Sequence, residues 1–199
     1  MVDFATGRES IVTAPGAGSP TEIKTFAYTL FQPSLKDRHG VTKPEDTLVS
    51  FTSFFPFGKD YSGGVSLSTG WIAGSLGGAK SIIAGQLTGS GTVKIFSAGS
   101  ALDGGPKIYL GSCRCGKDAP FRETASFRPF AESGGVHVAT TSTETGAHLL
   151  VGGLQGKTQA GVLKYDFVRA SKTARTLDPV RLGEVWTGKA GALVTIGGD

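Results

Sequence analysis

Reactive side chains, clustered charge and long apolar runs are all scarce in this chain, and each shortage removes a class of function. Its only cysteines are Cys113 and Cys115. That Cys-Arg-Cys spacing puts both side chains on the same side of an extended strand without favouring a bond between them, so the pair does not fix a redox compartment. A metal site there would need two further ligands, and Arg114, Gly116, Lys117 and Asp118 do not form a recognised set. No window approaches the ~18 consecutive apolar residues that cross a bilayer as a helix. The stretch from Met1 to Glu9 lacks the basic and apolar regions of a secretory leader. The chain is therefore expected to stay inside the cell, to leave by a route that does not read the N-terminus, or to be a piece of something longer. Charged residues make up 18% of the chain and the net charge is +4, with Lys and Arg scattered, so the electrostatic footprint of a nucleic-acid groove is missing. The densest basic stretch, Lys172, Arg175 and Arg181, is interrupted by Asp178 and Pro179 and reads as a solvated connecting loop.

Catalysis requires a nucleophile, an acid or base and a polar cradle to converge, and the residues for it are thin. His137 stands between Val136 and Val138 in an extended stretch and His148 borders another, positions that suit structural histidines. His39 lies in the polar connection Lys36-Asp37-Arg38-His39-Gly40. No serine occupies a Gly-x-Ser-x-Gly elbow between a strand and a helix. The 16 acidic residues are dispersed, with no pairing that suggests glycoside hydrolysis. The glycine-rich runs lack the helix and the Lys-Ser or Lys-Thr ending of a phosphate loop. The expectation is a non-enzymatic protein without catalytic residues, metal ligands or a cofactor.

What the chain does have is glycine, 31 residues of it, set among β-branched and aromatic residues in short blocks. The blocks recur. Ser53-Phe54-Phe55-Pro56-Phe57, Gly63-Gly64-Val65, Ser81-Ile82-Ile83-Ala84-Gly85 and Val93-Lys94-Ile95-Phe96 return in order as Ser126-Phe127-Arg128-Pro129-Phe130, Gly134-Gly135-Val136, His148-Leu149-Leu150-Val151-Gly152 and Val162-Leu163-Lys164-Tyr165. A third copy is divided between the ends. Ser10-Ile11-Val12-Thr13-Ala14 and Glu22-Ile23-Lys24-Thr25-Phe26 match its middle, while Gly191 to Asp199 reads like Gly63 to Gly70, its beginning. The whole chain, 1–199, is thus one repeat domain with units near 49–125, 126–183, and 184–199 joined to 1–48.

Within a unit the apolar blocks are short and bounded by Gly, Ser, Thr or Pro, the pattern of strands joined by tight turns. Strands are expected near Val65 to Thr69, Lys80 to Gly85, Thr92 to Phe96 and Glu123 to Phe130, and no window shows a helical apolar period. The predicted fold is all-β: about three four-stranded antiparallel β-propeller blades, one completed by pairing Ala192 to Ile196 with strands at Ile11 to Ala14 and Ile23 to Phe26. Propellers close with four to eight blades, so three imply a homo-oligomer or part of a larger propeller; a homodimer gives six.

These residues resemble the FG-GAP or VCBS repeat family, the β-propeller repeats of integrin α-subunit heads and of many large bacterial secreted proteins. The likeness runs through Gly7 to Phe26, Gly63 to Phe96 and Gly134 to Tyr165. It implies an extracellular or cell-surface setting and a role in protein binding. The family's Ca²⁺ loop, rich in Asp, has no counterpart here. The corresponding loops, Phe4 to Ser10, Ile72 to Lys80 and Ser142 to His148, keep glycine and have lost nearly all the acids. Phe54, Phe55, Phe57, Phe127 and Phe130 are expected to fill the space between blades. Trp71 and Trp186 are the candidate ligand-binding residues. Two insertions, Gln32 to Asp46 and Asp103 to Pro120, are expected to carry partner contacts. The leading functional expectation is a binding or self-assembling scaffold for proteins, and the alternative is a lectin-like propeller that stacks glycans on Trp or Tyr.

Overall fold

The computed structural model describes residues 10–29, 47–72, 80–98, 121–131, 134–144, 146–154, 159–169 and 176–189. Within them the chain is all-β, with eleven strands in three antiparallel sheets and no helix. Sheet 1 has the order β1 (Ser10–Thr13), β2 (Ile23–Thr29), β3 (Thr47–Phe54). Sheet 2 runs β4 (Val65–Gly70), β5 (Ser81–Gln86), β6 (Val93–Ala98), β7 (Phe121–Phe127). Sheet 3 runs β8 (Val136–Thr143), β9 (Gly146–Leu154), β10 (Gln159–Val168), β11 (Asp178–Lys189). No sheet closes into a barrel, and in each one chain neighbours are sheet neighbours.

The four expected strands of the middle unit are β4 to β7, and their alternation explains the stacking. In β5, Ile82 and Ala84 join an apolar cluster with Ile23, Val12 and Phe54 of sheet 1, whereas Ile83 joins one with Val136, Leu149 and Leu163 of sheet 3. Five consecutive residues of β5 are buried because both faces of sheet 2 are covered. Each fully buried Ile, Leu or Val there contributes roughly 1.5–3 kcal/mol.

One expectation needs amending. The segment from Asp178 onward is not a connecting loop: it is β11, solvent-exposed over nearly its whole length. Pro179 is tolerated because β11 is an edge strand and pairs on one side only, opposite Phe167 in β10. The sheets are offset from the units read in the sequence, since a unit starting at residue 49 opens inside β3, which pairs with β2. Ala192 to Ile196, proposed to complete sheet 1, lies outside the described residues.

Sheets 2 and 3 lie closest at their first strands, where β8 packs on β4 and β5, and β7 barely meets β11 at the other edge. Small groups line the close edge. The Val138 amide donates to Ser66 Oγ at 3.0 Å, and Thr140 Oγ1 donates to the Thr69 carbonyl at 2.8 Å. A Cβ on Gly70 would come 2.8 Å from Thr140 Cγ2, and one on Gly85 would come 3.0 Å from both Val136 and Val138. Rings fill the wider edge: Phe127 lies 5.0 Å from Tyr165 and 6.1 Å from Phe167, centroid to centroid.

The chain enters sheets 2 and 3 through the second glycine of a Gly-Gly-Val block, and that glycine rests on a turn of the preceding sheet. Gly64, at φ 82°, leaves room for a Cβ only 2.8 Å from the Ala17 amide in the β1–β2 turn. Gly135, also at φ 82°, would drive a Cβ into the Leu87 carbonyl in the β5–β6 turn. Hydrogen bonds from the Gly18 amide to Ser62 O (2.8 Å) and from the Thr21 amide to Tyr61 O (3.1 Å) fasten the first joint. Gly135→Ala therefore meets both a positive φ and a backbone collision, while Gly89→Ala, at φ 88° with open space around it, meets the first alone. Chemical denaturation should show a loss of about 1–2 kcal/mol for Gly89→Ala and about 3 kcal/mol or more for Gly135→Ala; equal losses would sink the joint described here.

Candidate interaction surface

The two tryptophans singled out by the sequence occupy opposite edges. Trp71 follows β4 at the close edge, where its carbonyl accepts from the Ala147 amide at 2.8 Å and Ile72 bridges to Ala147. Its neighbour Ile72 is fully buried, but the Trp71 side chain is 56% exposed. Trp186 lies on β11, three strand spacings from β8, or about 14 Å across the sheet. The structure does not bring them into one pocket.

Register gives Trp186 a meaning that composition could not. A β-branched residue early in the next-to-last strand pairs with an aromatic on the last strand in every described sheet: Ile23 with Phe54, Val93 with Phe127, Val162 with Trp186. A β-bulge also recurs at one place, after Thr25, Ile95 and Lys164, leaving Phe51, Thr124 and Leu182 as the extra residues. Phe54 reaches Phe96 (4.8 Å) and Phe121 (5.8 Å) of sheet 2, as Phe127 reaches Tyr165 and Phe167 of sheet 3. Trp186 holds the same position on the last sheet, 39% exposed, its indole lying over the space that Gly188 leaves free.

No family model matches the chain, and neither does any curated protein or solved structure.

Chemistry at this surface is spare. Among the described residues no group of three or more His, Cys, Asp or Glu side chains could hold a metal ion. Cys113, Cys115, His39, both long insertions and most of the loops aligned with the family's Ca²⁺ loop lie outside those residues. His137 is exposed on β8, and His148 lies within β9 with Nδ1 shut off from solvent and without a hydrogen-bond partner among the described residues. A hydrogen bond from Ser53, then pairing with Lys24 at 3.3 Å, holds the Glu22 carboxyl below its ordinary value. The Lys94–Glu123 pair at 2.7 Å is partly exposed, and such pairs contribute at most about 1 kcal/mol. Burial between sheets 2 and 3 pushes the Tyr165 phenol up.

Phe55 packs beneath Lys59, Phe57 against Tyr61, and Phe130 in the sheet 2–sheet 3 cluster. The aromatic stripe thus lies mainly between and beside sheets, while Trp71 points outward. Phe127→Ala should cost about 3 kcal/mol, the low end for a core phenylalanine because Phe127 stays partly exposed. Trp71→Ala should change the denaturation midpoint by less than about 0.5 kcal/mol. The reverse order would place the inter-sheet packing elsewhere.

Proposed function

We propose that the three sheets are consecutive blades of a β-propeller of the FG-GAP or VCBS type, and that the protein is a non-enzymatic scaffold that binds other protein surfaces. One observation carries the reading: sheets 2 and 3 approach at their first strands through glycine and hydroxyl side chains, and aromatic rings fill the space between them at the wider edge. Such a wedge makes successive sheets radiate from an axis beside β4 and β8, the arrangement in which propellers bury their sheet faces. Recurrence of the bulge, of the aromatic on the last strand and of the glycine joint supports it. By the same resemblance, the setting is extracellular or the cell surface.

Crystallography of the intact protein tests the geometry. Sheets rotated about a common axis are expected; sheets parallel across their full width, as in a sandwich, would overturn it. Exposure of Trp71 favours one second reading, a glycan stacked on the indole. On a glycan array the protein should retain nothing, and a glycan held by the native protein but released by Trp71→Ala would replace the protein-binding reading with the lectin one.

A further inference from the structure

Two faces of the stack carry the halves of an interface that the molecule already builds twice. The outward face of sheet 3 carries half-buried Leu150 and exposed Trp186 on either side of Val162, which is itself buried, with Lys164 opposite Leu150 on the same face by register. Leu150, Val162 and Trp186 correspond to Ile83, Val93 and Phe127 of sheet 2, the residues that meet sheet 3. The outward face of sheet 1 presents Ile11, 46% exposed, and the half-buried Phe26. Their equivalents are fully covered: Ile82 and Leu149 are at 0%, and Phe96 and Tyr165 receive the ring of the preceding sheet. One face is thus a donor of the aromatic and the other its acceptor. The unpartnered His148 Nδ1 also belongs to the donor face, at the position where Ser81 bonds Ser97 at 3.0 Å.

We propose that a second copy of this chain covers both faces, sheet 3 of each copy packing on sheet 1 of the other, with Trp186 set against Phe26 and Ile11. This rests on the blade reading above. The two faces differ, so contact between them is head-to-tail and must either close into a ring or run on. Closure follows from arithmetic: with the three sheets of the described residues counted per chain, two copies are the one whole number that falls within the four to eight blades at which propellers close. Both joints then form at once, each raising the effective concentration of the other. A closed pair also removes the exposed apolar surface of β11 and β1, which monomeric proteins seldom leave open in contiguous patches.

Light scattering on the intact chain should read twice the 20.5 kDa chain mass. Trp186→Glu and Phe26→Glu alter residues that are half-exposed in one chain, so each variant should keep the far-ultraviolet spectrum of the native sheets and read a single chain mass. Mixed in equal amounts, the two variants should return to twice that mass, because one joint then pairs native Trp186 with native Phe26. A native mass of one chain, an open series of multiples, or variants that stay paired or fail to complement would overturn the proposal. Failure of the blade reading itself is separable: it would appear in a crystal structure as sheets parallel across their full width, whatever the mass.

Discussion

Two backbone contacts that admit no side chain set the spacing of the molecule. Gly64 lies on the β1–β2 turn and Gly135 on the β5–β6 turn, both at positive φ and both at the point where the chain passes from one sheet to the next. A residue with a Cβ would lift each sheet off its predecessor at that end, and the rings packed at the other end would lose their depth of contact. The hydroxyl bonds between β4 and β8 act the same way, since Ser66 and Thr140 satisfy backbone groups across the joint that close packing would otherwise strand. Close approach at one edge and bulk at the other are a single constraint seen from two sides.

The recurring bulge fits this constraint. In each described sheet it falls between the last two strands, immediately before Phe26, Phe96 or Tyr165. An extra residue there increases the local twist and bends the last strand. The bulge follows the aromatic pair on the same strands, so twist and ring position are coupled by register. Thr124, the extra residue in β7, donates to the Ile95 carbonyl at 3.2 Å and so ties the bulged backbone down in a buried setting.

Much of this was legible in the sequence, and the reasons differ by element. The middle sheet could be read because Gly and Ser bound each of its apolar blocks, so all four strands fell where expected. β11 could not, because an edge strand exposed on both faces has no apolar alternation, and Pro179 and Arg181 look like a loop until pairing with β10 is known. The bulges were also invisible, since they are defined by the partner strand and not by the residues themselves. Trp186 suggested a ligand as a rare aromatic, and its partner Val162 adds that it stands in the series of Phe54 and Phe127, which pack between sheets. Trp71 has no such counterpart, which leaves its exposure to be explained by something other than sheet packing.

The open edges and the open faces are treated differently, and that difference bears on how copies could meet. β11 is a twelve-residue edge strand, long enough to recruit another strand, yet it carries two bulges, Pro179 and the charges of Arg181 and Glu184. Those are the devices by which edges resist strand addition. β1, the outer strand of sheet 1, runs over Ser10–Thr13 among the described residues. The faces are more apolar: Trp186 and Ile11 stand exposed on them, with a single lysine on each by register, Lys164 opposite Leu150 and Lys24 opposite Thr13. On the proposal that copies associate, a molecule guarded at its edges and apolar at Trp186 and Ile11 on its faces would meet its copy by face-to-face stacking, the mode its own sheets already use.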